Sequence, residues 1–464
     1  MLKIFNQYYP IRNIIFFLME SVLIFLSVMM ATWLRLGSDY HLLTNYTVVI
    51  PKALLIAVVC QLSLYYFDLY DFRVTDSNIE LGIRLLQSLG SSSIALAVLY
   101  YLFPSLIIGK GIFIITLSLI IVLIVSWRML YNWILKSKSF SERVLILGSG
   151  ELASDIAREI LERKDSGFFV VGFLEGEEKM VGVSIVNPKV IGTYGQLLQV
   201  VDEEKIDRIV VAIQQRRGQM PVKDLLECRL KRIRIEEGTS FYERLTGKIP
   251  VQNIYPSWLI FSGGFRRLII SNTAKRVFEM IVSVCVLFFF LPIILFTSIL
   301  IKIDSKGPVF FTQKRAGKDG KVYRLIKFRS MRHNAESETG PVWAQVNDNR
   351  ITRVGRIIRK ARIDEIPQIF NVLKGDMSIV GPRPERPFFV KKLEKKIPYY
   401  SQRLCVKPGV TGWAQIKYNY GASEEDSMKK LQYDMYYIKN MSVCLDILII
   451  FETIKVVLFG KGAR

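Results

Sequence analysis

Asp364 and Glu365 are adjacent carboxylates just ahead of Pro367, and the same stretch, residues 361–387 (ARIDEIPQIFNVLKGDMSIVGPRPERP), carries the turn Gly381-Pro382-Arg383-Pro384. A carboxylate pair beside a stiff loop that presents one guanidinium suits phosphate chemistry, because a guanidinium can donate two parallel hydrogen bonds to a phosphate. Proline is tolerated in the first turn of a helix, so the pair is expected at the N-terminus of a short helix ending near Gly375. Unpaired N–H groups and the positive dipole end there would stabilise an ionised Asp364 and a phosphoryl group beside it. Successive helical residues point about 100° apart, so the two carboxylates can serve different atoms. Lys327 and Arg329 flank Phe328 in a run that alternates like a strand, which puts both cations on one face. Arg383 is the strongest phosphate-binding candidate, followed by Arg315, Arg362 and Lys407, which could instead meet lipid headgroups. Taken alone, an Asp-Glu pair at a helix start reads as a solvated cap; the ordered motifs around it favour chemistry.

Other chemistries are poorly supplied. His41 and His333 are the only imidazoles, too few for a histidine metal centre or a Ser/His triad. Cys60, Cys228, Cys285, Cys405 and Cys444 lie far apart and form no CxxC pair, so neither a zinc site nor a disulfide framework is indicated, and a reducing compartment fits. The formal charge of +22 is spread through the soluble parts and beside apolar spans, which suits anionic lipid and phosphorylated substrates. No basic helix or zinc spacing of a nucleic-acid reader accompanies that charge, so nucleic acid is not an expected partner.

The elements that must hold these groups begin in a membrane. The chain has 464 residues, 51% of them hydrophobic, concentrated before Leu135 and again between Val277 and Ile301. Four stretches, about 11–34, 46–67, 85–108 and 112–135, approach the roughly 20 residues needed to cross a bilayer. Lys3 and Arg12 precede the first, while Lys136, Lys138 and Arg143 follow the fourth, so both ends of the bundle are expected in the cytoplasm. Glu20 lies inside the first span and is expected to face the bundle interior, protonated or hydrogen-bonded to a neighbouring helix.

From Arg143 the pattern changes to short β-branched runs (144–147, 168–173, 208–213) alternating with helical segments (152–161, 222–230), the signature of a Rossmann-like α/β domain. Gly148 and Gly150 follow a strand and open a helix as a dinucleotide loop does, and Glu175 falls near the place of a ribose-binding acid. Ala153 stands at the third glycine position, and small residues there also serve helix–strand packing, so a structural or regulatory domain is favoured over nucleotide binding. Four regions follow: 1–140, a transmembrane helical bundle; 141–240, the Rossmann-like domain; 241–273, an aromatic interfacial linker; and 274–464, an α-rich catalytic domain. Residues 351–362 form a basic amphipathic helix that could lie in the interface, and the C-terminal run 445–458, interrupted by Glu452 and Lys455, reads as an interfacial or packed helix.

The segment from Lys275 to Arg464 resembles the bacterial sugar transferase family, the polyprenyl-phosphate glycosyl-1-phosphate transferases. The resemblance rests on Gly307-Pro308-Val309-Phe310-Phe311 with Gln313 and Arg315, Lys327-Phe328-Arg329-Ser330-Met331, the Asp364-Glu365 helix, and Lys407-Pro408-Gly409-Val410-Thr411-Gly412-Trp413-Ala414-Gln415. Four spans, a degenerate nucleotide-binding domain and a catalytic end resemble the large members of that family, and the linker is similar to that of the exosortase-associated exopolysaccharide subgroup. The resemblance implies a UDP-sugar donor, a polyprenyl phosphate acceptor, release of UMP, Asp364 as a nucleophile carrying a covalent sugar phosphate, and Glu365 helping to hold Mg2+. It implies a bacterial inner-membrane protein whose catalytic domain faces the cytoplasm. It further implies that the apolar segment at about 277–302 is re-entrant, and Pro292 offers the kink, with Lys275, Arg276, Lys302 and Lys306 holding both ends at one headgroup layer. A homodimer is plausible, though no residue marks an interface. Two rival readings are a membrane-anchored nucleotide-sugar dehydratase or epimerase and a polysaccharide-assembly scaffold. The first lacks a Tyr-x-x-x-Lys pair in the middle domain, and the second is disfavoured by intact Asp364, Glu365 and Arg383.

Overall fold

Apolar residues all round a long helix force it out of water, and the first third of the chain consists of such helices. The computed structural model describes residues 2–4, 7–36, 46–71, 78–109, 111–136, 141–163, 165–213, 220–254, 269–332, 350–418, 421 and 423–459. They divide into two compact units, essentially Tyr8–Phe241 and Tyr242–Arg464.

In the first unit, α1 (Ile11–Leu36), α2 (Tyr46–Tyr66), α3 (Asn78–Leu102) and α4 (Ile112–Lys136) are each long and apolar enough to cross a membrane. Ile24, Val28, Ala53, Leu64 and Ile124 pack inside the bundle, whereas Ile15, Leu18, Leu54, Leu86, Ile114 and Trp133 are exposed on its outer faces. Apolar area of that extent facing outward fits hydrocarbon as the surround. The third helix starts earlier than its sequence suggests, through Glu80 and Arg84, which pair at 2.8 Å, and it ends before Pro104, which cannot donate to the helical ladder. Glu20 is fully buried, as expected. Its partner is Arg128 of α4 at 2.7 Å, and the Tyr70 hydroxyl donates to it at 2.6 Å.

The same unit carries a five-stranded parallel sheet with β1 (Glu142–Leu147), β2 (Phe168–Glu175), β3 (Val190–Thr193), β4 (Arg208–Val211) and β5 (Arg234–Glu237) in the order β3-β2-β1-β4-β5. Helices α5 (Glu151–Glu162), α6 (Leu197–Glu203) and α7 (Val222–Leu230) connect the strands, and the central strands β1 and β4 are buried as such crossovers require.

In the second unit, after the described residues 242–254, comes α8 (Ile269–Asp304), a helix of 36 residues with Pro292 inside it. The helix runs on through Pro292, which removes one hydrogen bond from its ladder. Two small sheets follow. Strands β6 (Phe310–Ala316) and β7 (Val322–Phe328) form an antiparallel hairpin, and β8 (Ser378–Val380) pairs in parallel with β9 (Gly409–Thr411). Around them pack α9 (Arg353–Lys360), α10 (Gln368–Lys374), α11 (Pro387–Glu394), α12 (Trp413–Lys417), α13 (Glu424–Asn440) and α14 (Val443–Leu458). Val372, Met377, Trp413, Leu431, Tyr436 and Leu445 form the core of this unit. The Trp413 ring stacks on Tyr436 with centroids 5.8 Å apart, and its indole N–H donates to the Gly247 carbonyl at 2.9 Å. Of the aromatic linker, residues 255–268 lie outside the described residues, as do His41 and His333.

Candidate active site

The carboxylate pair does not begin one helix. Ile363–Glu365 form a single 3-10 turn, Pro367 follows, and α10 starts at Gln368 and closes at Gly375 with φ 93°. Arg362, just before the turn, holds φ 54°, a left-handed conformation that costs a non-glycine residue about 1–2 kcal/mol. The turn is pinned by Asn371, which is buried. Its Oδ1 accepts from the Ile326 N–H at 3.0 Å and its Nδ2 donates to the Arg324 carbonyl at 2.8 Å, so α10 lies against β7 and brings the end of that strand to the carboxylates.

Three cations meet Glu365. Lys327 Nζ donates to Oε1 at 2.9 Å, Arg383 Nη2 donates to the same oxygen at 3.0 Å, and Arg362 Nη1 stands 3.6 Å from Oε2. Burial alone would raise the Glu365 pKa, but Lys327, Arg383 and Arg362 outweigh it and hold the carboxyl well below the usual range. Asp364 is the opposite case. Burial, and then the Glu365 charge, push it up to about 6 against the pull of Lys327, Arg359 and Arg383. Among the described residues Asp364 makes no hydrogen bond or ion pair. One carboxylate is thus locked by cations while its neighbour stays open.

The Gly-Pro-Arg-Pro loop is held by the Lys-Pro-Gly-Val-Thr-Gly run. Gly381 N–H donates to the Thr411 carbonyl and Gly409 N–H to the Pro382 carbonyl, both at 2.9 Å. A Cβ on Gly409 would come 2.1 Å from the Gly381 nitrogen, so this crossing of two backbones admits only glycine.

Of the expected cations, Lys327, Arg383 and Arg362 converge on the carboxylates and the others do not. Arg329 is buried and turned the opposite way, donating to the carbonyls of Ser305 (2.8 Å) and Lys306 (3.0 Å) at the end of α8. It follows the last residue of β7, where the strand alternation that would align it with Lys327 has ended. Arg315 Nη1 donates to the Pro384 carbonyl at 3.0 Å, which makes it a strut beneath the loop. Lys407 lies at the Gly375 end of α10, away from the carboxylates. Two residues were not singled out by sequence. Arg359, three residues before Arg362 on α9, acts electrostatically on Asp364; its position on a basic helix was visible, its direction was not. Arg403, which is buried, donates to the Arg383 carbonyl at 3.0 Å and to the Tyr400 hydroxyl at 2.6 Å, and lies 2.9 Å from Asp434. Nothing in its local sequence marks it.

In the sheet domain, Gly148 has φ 105° and a Cβ there would stand 2.9 Å from the Ala212 carbonyl oxygen, while Gly150 caps α5 without a side chain. Glu175 accepts from Gly176 N–H at 2.9 Å and from the Tyr194 hydroxyl at 3.0 Å, and bonds Ser149 of the glycine loop. That acid is engaged within the chain.

Fold and site define a membrane protein whose α-rich second unit sets two adjacent carboxylates among three cations. The profile of the bacterial sugar transferase family matches residues 270–460, and that of a CoA-binding domain matches 65–234. The chain is 44% identical over 240 residues to the UDP-N-acetylgalactosamine-undecaprenyl-phosphate N-acetylgalactosaminephosphotransferase of Aeromonas hydrophila, covering 52% of this chain and 56% of that protein. It is 33% identical over 337 residues to the undecaprenyl-phosphate glucose phosphotransferase of Komagataeibacter xylinus, covering 70% of this chain and 61% of that one. It is also 40% identical over 194 residues to the exopolysaccharide production protein PSS of Rhizobium leguminosarum bv. phaseoli, covering 40% of this chain and 97% of that protein. The chain belongs to the bacterial sugar transferase family. It spans little more than half the length of the first two of these relatives.

Proposed function

We propose that this protein transfers a sugar 1-phosphate from a UDP-sugar to polyprenyl phosphate at the cytoplasmic face of a bacterial inner membrane, priming a lipid-linked glycan. The observation that carries the reading is the division of labour between the carboxylates: Asp364 is open and of raised pKa, and Glu365 is fixed by Lys327 and Arg383. A carboxylate with a pKa of about 6 is mostly ionised at neutral pH yet more basic than an ordinary aspartate, which suits a nucleophile. In the first step an Asp364 oxygen bonds to the sugar-bearing phosphorus, the bond from that phosphorus to the oxygen bridging it to the uridine-bearing phosphate breaks, and UMP leaves. In the second, a phosphate oxygen of the acceptor attacks the same phosphorus and Asp364 departs as carboxylate. Splitting one difficult transfer into two is what covalent catalysis provides. Arg383 and Lys327 are placed to offset charge on the diphosphate, while Arg362 and Arg359 stand at the rim.

The family resemblance implies Mg2+. The donors fit such an ion when the substrate's phosphates and water complete its shell: Asp364 is unpaired among the described residues, and Glu365 Oε2 stands 3.6 Å from Arg362 Nη1. When bound, Mg2+ would neutralise phosphate charge.

What the ends of α8 touch supports a re-entrant course. Near its start, Lys275 Nζ donates to Asp446 at 2.5 Å and Arg276 donates to the Val372 carbonyl at 2.7 Å. Near its end, Asp304 accepts from the Val354 N–H at 3.1 Å and Ser305 accepts from Arg329. Val372 and Arg329 belong to elements that Asn371 joins directly, so one polar body holds both ends. A bilayer cannot pass through that body, which supports a helix entering and leaving on one side. Cysteine labelling at positions 275 and 306 should report the same face; opposite faces would overturn it. Incubation of detergent-purified protein with Mg2+, a polyprenyl phosphate and a panel of UDP-sugars tests the reaction. UMP formed by the wild type and not by Asp364→Asn is the expected result, and UDP as product would replace this reading with ordinary glycosyl transfer.

A further inference from the structure

At the far end of α10 from the catalytic carboxylates, two cations converge, Arg276 and Lys407. Gly375 closes the helix, and a side chain built there would stand 3.7 Å from both Arg276 Nη2 and Lys407 Nζ. Arg276 is anchored: it donates to the Val372 and Leu373 carbonyls at 2.7 and 2.8 Å. Lys407 is half-buried and makes no hydrogen bond or ion pair among the described residues. Burial and the Arg276 charge lower its pKa against the opposing pull of Glu279 and Asp376. Lys318 adds a third positive charge nearby. Two acidic groups act on Lys407, Glu279 and Asp376. Glu279 accepts from the Ser378 hydroxyl and pairs with Lys275 at 3.5 Å and with Arg276 at 3.7 Å, and Asp376 stands 3.4 Å from the exposed Lys374.

Position gives this cluster its meaning. Arg276 lies on the opening turns of α8, whose apolar span runs from Thr273 to Asp304, with Val277, Ile281 and Val284 exposed just beyond. On the reading that α8 enters the membrane, these nitrogens stand at headgroup depth. We propose that Arg276 and Lys407, across Gly375, bind the phosphate of a membrane lipid at a site distinct from the one at Asp364. One charge already fixed to helix carbonyls and a second left without a bond is an arrangement that an oxyanion completes: the phosphate would accept from Lys407 and shield it from Arg276. The site would orient the catalytic body on the bilayer, because its ligand is tethered there.

The test uses the full chain in neutral detergent, with thermal unfolding followed as short-chain phosphatidylglycerol, a short-chain polyprenyl phosphate or inorganic phosphate is added. Lys407→Gln and Arg383→Gln are compared with wild type. Expected is a saturable stabilisation by phosphatidylglycerol whose half-point Lys407→Gln raises roughly tenfold, as loss of one charged hydrogen bond implies, while Arg383→Gln leaves it in place. Polyprenyl phosphate acting with the same Lys407 dependence would support the site and assign it to the acceptor lipid. Inorganic phosphate acting equally well would overturn the lipid assignment, and an unchanged half-point in Lys407→Gln would overturn the site. Because this readout does not involve transfer, failure of the proposed reaction in the UMP assay is distinguishable from failure of this site.

Discussion

Replacing Asp364 by asparagine should do two opposite things, and their pH dependence separates this reasoning from a generic loss of function. Burial and the Glu365 charge raise the carboxyl from 3.8 to about 6. The unfolded chain therefore releases this proton at lower pH than the folded one. The favourable contribution of the protonated side chain is complete below about pH 3.8 and is lost as pH rises through about 6, so the ionised carboxylate weighs on the fold at neutral pH. A shift of about 2 units corresponds to about 3 kcal/mol at pH 7.5, and to about 1 kcal/mol at pH 4.5, where both states are partly charged. Asp364→Asn removes the charge at nearly constant volume. It should abolish transfer and raise the stability of the second unit, with the gain growing by about 2 kcal/mol between those pH values, or roughly 4–8 °C in Tm for a body of this size. Thermal unfolding in detergent, followed at both pH values for wild type and variant, measures it. A variant less stable than wild type at pH 7.5, or one with the same offset at both, would refute the assignment of Asp364 as a charge held against desolvation.

The same carboxyl should set the acid limb of activity: kcat/KM for UMP release falls as pH drops through about 6, reaching about one-tenth near pH 5. Lys327→Met leaves Glu365 with one fewer cation and should reduce kcat by roughly a hundredfold, read in the UMP assay, with the fold retained by circular dichroism. Arg403→Met leaves Asp434 buried without its partner and releases the Arg383 carbonyl; destabilisation of about 3–5 kcal/mol is expected by denaturant titration, and Asp434→Asn in the same background should recover part of it. In the bundle, Glu20→Leu strands Arg128 and should lower the Tm, whereas the double replacement Glu20→Leu with Arg128→Met should recover most of the loss.

The membrane helices and the alternating strand–helix pattern were legible because both rest on local periodicity, which each segment carries by itself. Val222–Leu230 and the strand starting at Phe168 fall where the pattern puts them. The carboxylate pair and Arg383 were legible because proline and glycine fix backbone direction within a few residues. The helix at Asp364 was less so. Pro367 was read as part of the first turn, whereas the chain closes a 3-10 turn at Glu365 before α10 begins.

By itself the sequence determined the parts: apolar spans, a glycine loop opening a Rossmann-like domain, and a motif order that places the chain in its family. Only the tertiary structure decided which charges act together. Lys327 and Arg329 are two residues apart and look alike, yet one reaches Glu365 and the other caps the end of α8. Arg403 and Arg383 are joined through a backbone carbonyl, and Arg276 and Lys407 meet over Gly375 although most of the second unit lies between them in sequence. The physical reason is range. Helix, strand and span propensities depend on neighbours a few residues away, whereas the direction of a long charged side chain is set by the packing of distant elements.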